Sequence, residues 1–229
     1  MTEAIRAIAV AAMPAEAGEL RRLAASVARL PKHGVADREL LTVADETGAE
    51  HQVLLVTSGI GLVNAASALS AALASYSPDF VVSFGSAGGF PARVRVGDVA
   101  ASSVLTYSVA NATAFGYALG QIPGMPEAYA GDPALLERAA DAVVAGPMIS
   151  GDTFVAGDLF DGVAERWPDA VATDMESTAL AQVSYAHNLP FVSLRGISDL
   201  CGPDAGDEHR QTVEAVSAAA AAAVLTLLR

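Results

Sequence analysis

Hydrophobic and polar positions alternate between two periods along this chain, and the switches between them mark out the elements. Ile5 to Met13 alternates loosely, then turns continuously apolar, the pattern of a strand buried on both faces. Pro14 suits a first helical turn, and Leu20, Leu23 and Val27 make an apolar stripe behind it, so a helix is expected from Pro14 through Val27. Two strands follow, Leu40–Val43 and Gln52–Thr57, joined by a turn at Glu46-Thr47-Gly48. Ser58-Gly59-Ile60-Gly61 leads into a helix carrying Val63, Ala66, Leu69 and Leu73. Asp79–Phe84 is a further buried strand ending in a glycine-rich turn, Gly85 to Gly89. Gly97-Asp98-Val99 opens a strand reaching Tyr107. Residues 108–132 show no period but hold Phe115, Tyr117, Pro123, Pro126 and Tyr129, and a long irregular loop with aromatics usually carries function.

The second half continues the alternation. Leu135–Val144 reads as a helix, Pro147–Ser150 as a strand and Leu159–Trp167 as a short helix. Val171–Thr173 is a short strand, followed by a helix with Ala179, Leu180, Val183 and Ala186 on one face, which Asn188-Leu189-Pro190 ends. Phe191–Leu194 resumes as a strand before Arg195, Gly196, Ser198 and Asp199. Strand and helix alternate throughout, so the expectation is one α/β domain over residues 1–229, with the hairpin near 44–52 making its sheet mixed rather than all parallel. If the strands before Asp174 and Asp199 run parallel, their ends open on one sheet edge, where open α/β sheets bind ligands, and Glu176, Arg195 and Asp199 converge there. The competing reading is that Asp174, Ser177 and Asp199 only cap helices.

Charge and composition narrow the partners. A formal charge of -13 disfavours nucleic acid and anionic membrane, both of which need clustered Lys and Arg. The C-terminal run AVSAAAAAAVLTLL is 14 residues long, short of the ~20 a membrane span needs. The apolar start after Arg6 fits a buried strand better than a signal peptide, because acidic residues follow at once. A single cysteine, Cys201, excludes an intramolecular disulfide and fits a reducing compartment, so the cytoplasm is expected.

Candidate chemistry then reduces to carboxylates. The four histidines are scattered without ligand spacing, so no metal is expected. The glycine turns SGIG (58–61) and GSAGG (85–89) lack a Walker lysine and the dinucleotide spacing, which leaves them as backbone walls of a small-molecule pocket rather than phosphate cradles. No G-x-S-x-G elbow marks a serine nucleophile. Glu16, Asp174, Glu176 and Asp199 remain, at strand ends. Such a set suits hydrolysis in which one acid protonates a leaving group and another carboxylate activates water.

Eight segments carry a resemblance: AAMPAE (11–16), SGIG (58–61), FGSAGGF (84–90), VGDV (96–99), TAFGYALGQIPGMP (113–126), SGDTFV (150–155), TDMESTALAQV (173–183) and LRGISDL (194–200). By their order and spacing the chain resembles the nucleoside phosphorylase/hydrolase superfamily, and within it the 5′-methylthioadenosine/S-adenosylhomocysteine nucleosidases. The resemblance implies a three-layer α/β/α fold with a mixed, partly barrel-like central sheet, a homodimer, no cofactor, and hydrolysis of the N-glycosidic bond of an adenine nucleoside. It also implies roles. Asp199 protonates adenine N7, and Ser198 orients it. Glu16 holds or deprotonates the attacking water, helped by Ser86 and Arg195. Glu176 grips the ribose hydroxyls with Met175 beneath the sugar. Phe154 stacks on adenine, and backbone groups of Val155 read its edge. Met13, Ala87 and Gly88 join the walls, with Ile60 near the 5′ group. Phe115 and Pro123 of one subunit cover the alkylthio group in the other.

Water rather than phosphate is the implied nucleophile. Phosphorylases of this type place arginines in the first loop and just before the glycine-rich turn, where this chain has Met13-Pro14-Ala15-Glu16 and Ser83-Phe84-Gly85. A phosphate-dependent purine nucleoside phosphorylase stays as the alternative enzyme, and a binding protein without turnover as the alternative of another class. Two positions depart from the nucleosidase pattern. Asp174 stands where these enzymes carry Glu, and His209 takes the place of a pocket-closing phenylalanine. Both leave open a different 5′ substituent, with aminodeoxyfutalosine or 5′-deoxyadenosine as candidates.

Overall fold

The computed structural model describes residues 2–229. Among these, the strands are β1 (Glu3–Ala11), β2 (Ala24–His33), β3 (Ala36–Ala44), β4 (Glu50–Thr57), β5 (Tyr76–Gly89), β6 (Val99–Tyr107), β7 (Tyr129–Ala130), β8 (Val144–Ser150), β9 (Ala172–Asp174) and β10 (Phe191–Asp199). The α-helices are α1 (Pro14–Leu23), α2 (Leu62–Leu73), α3 (Pro133–Ala139), α4 (Asp158–Arg166), α5 (Ser177–Ala186) and α6 (Ala205–Leu227).

All the strands join one mixed sheet in the order β10-β6-β8-β9-β5-β1-β4-β3-β2, with β7 beside β6. The sheet does not stay open. β5 pairs in parallel with β10 from Phe191–Val81 onward, and this closes β10, β6, β8, β9 and β5 into a five-stranded barrel. One residue from each barrel strand, Ala87, Ala100, Met148, Ala172 and Ile197, packs in a small shared cluster. The expected mixed, partly barrel-like sheet with helices around it is therefore the observed architecture.

Side-chain alternation sorts the rest of the core into two layers. Along β1, Ala7, Ala9 and Ala11 face the layer built with Leu20 of α1 and Ala221 and Val224 of α6. Ile8 and Val10 face the opposite layer, with Leu69 of α2 and Leu180 of α5. Alanine-rich α6 lies close on β10, and a Cβ at Gly196 would stand 2.2 Å from the Val216 carbonyl oxygen. Despite its 23 residues, α6 carries polar groups in its first turns, and among the described residues no helix is long and apolar enough to cross a membrane.

Several local expectations are corrected. The helix expected through Val27 ends at Leu23, and Ala24–His33 forms the edge strand β2 against β3. Its mostly exposed positions give no alternation to read. Val63 lies on the outer face of α2 at 77% exposure, whose buried face is Ala65, Ala68, Leu69 and Ala72. The helix expected to Val144 stops at Ala139, passes through a 3-10 turn, and yields Val144 to β8. GSAGG is not a turn after the strand. It is the last third of β5, extended and paired with β9 and β10.

Candidate active site

The last correction changes how the carboxylates meet. β9 and β10 are not parallel neighbours. β9 runs antiparallel to β5 and β10 parallel to it, and both flank the strand at Gly88, opposite Thr173 on one side and Asp199 on the other. Closure of the barrel, not a shared edge of a flat sheet, brings the ends of β9 and β10 together.

A cleft of about 590 Å³, counted out to its open mouth, lies over this point. Met13, Glu16, Ile60, Ser86, Ala87, Gly88, Phe154, Val155, Met175, Glu176, Ser198, Asp199 and His209 all line it. Ala12, Thr153 and Thr173, which sequence reasoning passed over, line it too, as does Asp174. Thr153 and Thr173 each sit inside a segment already singled out, so their neighbours were the available signal.

Glu16 comes from the first turn of α1, the third residue after the Met13 cap. Its Oε2 accepts from the amides of Ala12 and Met13, both at 3.0 Å, which caps the helix. Its Oε1 crosses to β5 and accepts from the Ser86 amide at 2.8 Å and the Ser86 hydroxyl at 2.9 Å. β5 admits it only because residue 85 is glycine. A Cβ there would stand 2.5 Å from the Glu16 carboxylate, and φ is +141°.

Arg195 lies below the cleft floor, 1% exposed. Its Nε is 2.9 Å from Asp174 Oδ2 and its Nη2 is 3.3 Å from Glu176 Oε2. It makes no hydrogen bond to Glu16, which the resemblance has it help with the attacking water. Burial works to lower the Arg195 pKa, but the charges of Asp174, Glu176 and Glu16 outweigh it and raise the group, so the guanidinium stays charged. Serines complete its shell. Ser83 Oγ accepts from Nη2 at 2.8 Å, and Ser177 Oγ is 2.7 Å from Ser193 Oγ. Sequence reasoning missed these, although Ser83, Ser150 and Ser193 each interrupt an apolar strand, and that is a readable sign of a buried polar network.

Asp174 does two things at once. It accepts from the amides of Glu176 and Ser177 at the start of α5 and from Ser150 Oγ at 2.6 Å, while pairing with Arg195. The capping reading of this residue is thus fulfilled, but beside it stands a buried ion pair. Glu176 keeps both oxygens engaged as well, Oε1 accepting from the Gly61 amide at 2.9 Å. That contact employs the SGIG turn: its amide grips a carboxylate of the chain itself. Burial pushes Glu176 up to about 7, with Asp174 and Glu16 adding to the rise and Arg195 and the Gly61 amide opposing it.

On the opposite wall, Asp199 is 1% exposed. Its Oδ1 accepts from the Cys201 amide at 3.0 Å and its Oδ2 from the Ser198 hydroxyl at 2.7 Å. Phe154 stands half-exposed at the mouth. Phe115 and Pro123 are not brought to the cleft of their own chain. Both are exposed, Phe115 at 83%.

Comparison with known proteins identifies the family. The phosphorylase superfamily profile matches residues 6–229. A 5′-methylthioadenosine/S-adenosylhomocysteine nucleosidase of Geobacillus kaustophilus is 38% identical over 186 residues, 77% of this chain and 79% of that protein. The nucleosidase of that name from Staphylococcus saprophyticus is 36% identical over 211 residues, 86% of this chain and 92% of its own. Among solved structures, the Neisseria meningitidis nucleosidase in complex with methylthio-immucillin-A superposes with a TM-score of 0.90 at 30% identity, covering 97% of each chain. With profile, relatives and cleft in agreement, the chain belongs to the phosphorylase superfamily, and its relatives there are the 5′-methylthioadenosine/S-adenosylhomocysteine nucleosidases.

Proposed function

We propose that this protein hydrolyses the N-glycosidic bond of 5′-methylthioadenosine, S-adenosylhomocysteine or a close 5′-modified adenine nucleoside, releasing adenine. The observation that carries the choice of water is the charge of the cleft. Among the described residues, its lining holds four carboxylates and neither lysine nor arginine. An incoming phosphate dianion would meet Glu16 first, and the one buried guanidinium below is already engaged by Asp174 and Glu176.

The roles follow from which group faces which part of a nucleoside. Asp199 donates a proton to adenine N7, so that the base leaves neutral rather than as an anion. As the glycosidic bond lengthens, the ribosyl group gains oxocarbenium character, and the carboxylates around it stabilise that charge. Glu176 accepts from the ribose hydroxyls, with Met175 under the ring, and Arg195 acts from below by holding Glu176 in place. Glu16 takes the proton of the attacking water. Its four acceptor sites are filled in this structure, so the water enters by displacing the Ser86 hydroxyl, which can rotate away while the Ser86 amide stays. Phe154 stacks on the base, Val155 reads its edge through the backbone, and Met13, Ile60, Ala87 and Gly88 close the walls. A second copy of the chain supplies Phe115 and Pro123 over the 5′ group, and the cytoplasm is the compartment that a buried free thiol at Cys201 suits.

The test is adenine release from methylthioadenosine in phosphate-free buffer. Turnover that strictly needs phosphate, or that favours inosine with phosphate, overturns hydrolysis. Asp199→Asn should lower kcat by ~10²–10⁴-fold and leave nucleoside binding measurable. An unsubstituted protein that binds these nucleosides without turnover would be a binding protein instead.

A further inference from the structure

His209 enters the cleft from the first turns of α6, where the resemblance to nucleosidases has a phenylalanine. Its ring packs edge-on to Phe154, with centroids 6.1 Å apart and planes at 72°. The polar contact lies elsewhere. His209 Nδ1 is 3.1 Å from Ser198 Oγ, and that hydroxyl is 2.7 Å from Asp199 Oδ2 and 3.2 Å from the Ala87 carbonyl oxygen. Thr212 Oγ1 donates to the Ser198 carbonyl at 2.8 Å, which fixes this part of α6 to the end of β10. The His209 ring is half-buried and Asp199 fully buried, so the three groups form a line from the cleft mouth to the carboxylate at its base.

Counting protons along that line gives it a direction. Ser198 has one hydroxyl proton. The Ala87 carbonyl only accepts, and so does Asp199 when ionised. With a proton on His209 Nδ1, the line from ring to carboxylate is satisfied: the ring donates to Ser198, and Ser198 gives its one proton to the nearer acceptor, Asp199 at 2.7 Å, rather than to the Ala87 carbonyl at 3.2 Å. With Nδ1 bare, the Ser198 proton turns toward the ring, and Asp199 completes the line by carrying a proton of its own and donating it to Ser198. The two directions correspond to Asp199 after and before it has given its proton to a leaving base.

We propose that His209 is a positioning residue for the general acid, acting through Ser198 to set the direction of this hydrogen-bond line and to return a proton to Asp199 after each turnover. The proposal rests on the reading of Asp199 as the group that protonates departing adenine. In the return step the Nδ1–H bond of an imidazolium breaks as a new Ser198 O–H bond forms. The former Ser198 O–H bond breaks as Asp199 Oδ2–H forms, leaving neutral imidazole and a carboxylic acid. Solvent at the cleft mouth then reprotonates the ring, which balances the proton that the attacking water gives up through Glu16. The charged groups sharing the cleft with the ring are Glu16 from α1, Asp174 from the end of β9, Glu176 from the cap of α5, and Asp199 from β10. On its own helix Glu208 is exposed, and Asp207 and Arg210 pair with each other at the surface.

Steady-state kinetics on H209F, H209N, S198A and the H209F/S198A double variant, in phosphate-free buffer, test this. H209F keeps a ring of similar size and removes the nitrogen. It should lower kcat about 10-fold, change KM by less than about 3-fold, and do so equally for methylthioadenosine and 5′-deoxyadenosine. H209N, whose side-chain amide can still bond Ser198 but cannot give up a proton, should stay about as slow as H209F, and recovery to the unsubstituted rate overturns the return of a proton through His209. The double variant should be no slower than S198A, because both changes break one line. A KM effect that follows the 5′ substituent with kcat intact, or losses that multiply in the double variant, overturns the proposal in favour of a specificity wall. Absence of adenine release by the unsubstituted protein overturns the nucleosidase reading itself, an outcome distinct from any His209 result.

Discussion

Glu176 is the residue whose ionisation couples most directly to both folding and binding. Its folded value of about 7 lies above the ordinary 4.5, with burial the first cause. Between those limits the folded chain keeps a proton that the unfolded chain has lost, so stability falls as pH rises through the window. Urea titrations at about pH 5 and about pH 8 should show that slope in the unsubstituted protein and its loss in Glu176→Gln. In the assay the sign is opposite: the carboxylate is the better acceptor for two ribose hydroxyls, so KM should rise as the pH drops below 7. At this scale the sequence was informative about the carboxylates, which stand in recognisable motifs at the ends of apolar runs. It was informative in part about their partners: the strand ends bring Arg195 toward Glu176, but nothing local tells that Asp174 is its other partner and Glu16 is not, because that is decided by strand register. Ser83 and Ser193 show as polar breaks in apolar strands, but which groups they meet, with Ser177, is legible only once three elements are in place.

At the scale of elements, two glycines of neighbouring strands do different work, and substitution should separate them. Gly85→Ala drives a methyl group into the Glu16 carboxylate, at the end of a side chain that can swing away. It should cost about 1–3 kcal/mol, since alanine is strained at a φ of +141°, and lower kcat of the folded enzyme by ~10²-fold or more, since the water-holding group is displaced. Gly196→Ala meets the Val216 backbone at 2.2 Å, and a helix cannot swing away. It should cost about 1–3 kcal/mol in denaturant unfolding and carry activity down with it, because Ser198 and Asp199 end the strand that α6 presses on. The elements that sequence reasoning recovered are those whose burial imposes a period, such as β1, β4, β6 and α5. β2 is not legible because an exposed edge strand has no buried face to write a pattern, and GSAGG reads as a turn because glycine composition conceals extended backbone.

At the scale of the whole molecule, the fold class was legible from alternating elements and family motifs, but the β5–β10 pairing was not, since barrel closure joins residues more than a hundred positions apart. Solvent-facing Phe115 belongs to this scale as well. If a second copy completes the cleft, light scattering should give twice the mass of one chain, and Phe115→Ala should raise KM for methylthioadenosine several-fold while leaving adenine itself bound as before. A monomer with full activity would count against a shared cleft.

β5 has a last consequence, for how the protein comes apart. Its first half is the central strand beside β1, and its second half is a wall of the barrel. No boundary exists at which one part can melt while the other keeps its strands, since either event strips hydrogen bonds from the same fourteen residues. Sheet and barrel are therefore expected to unfold as one thermodynamic unit. Scanning calorimetry should record a single endotherm whose calorimetric and van't Hoff enthalpies agree per cooperative species, and hydrogen exchange at β1 amides and at β10 amides should report the same opening free energy.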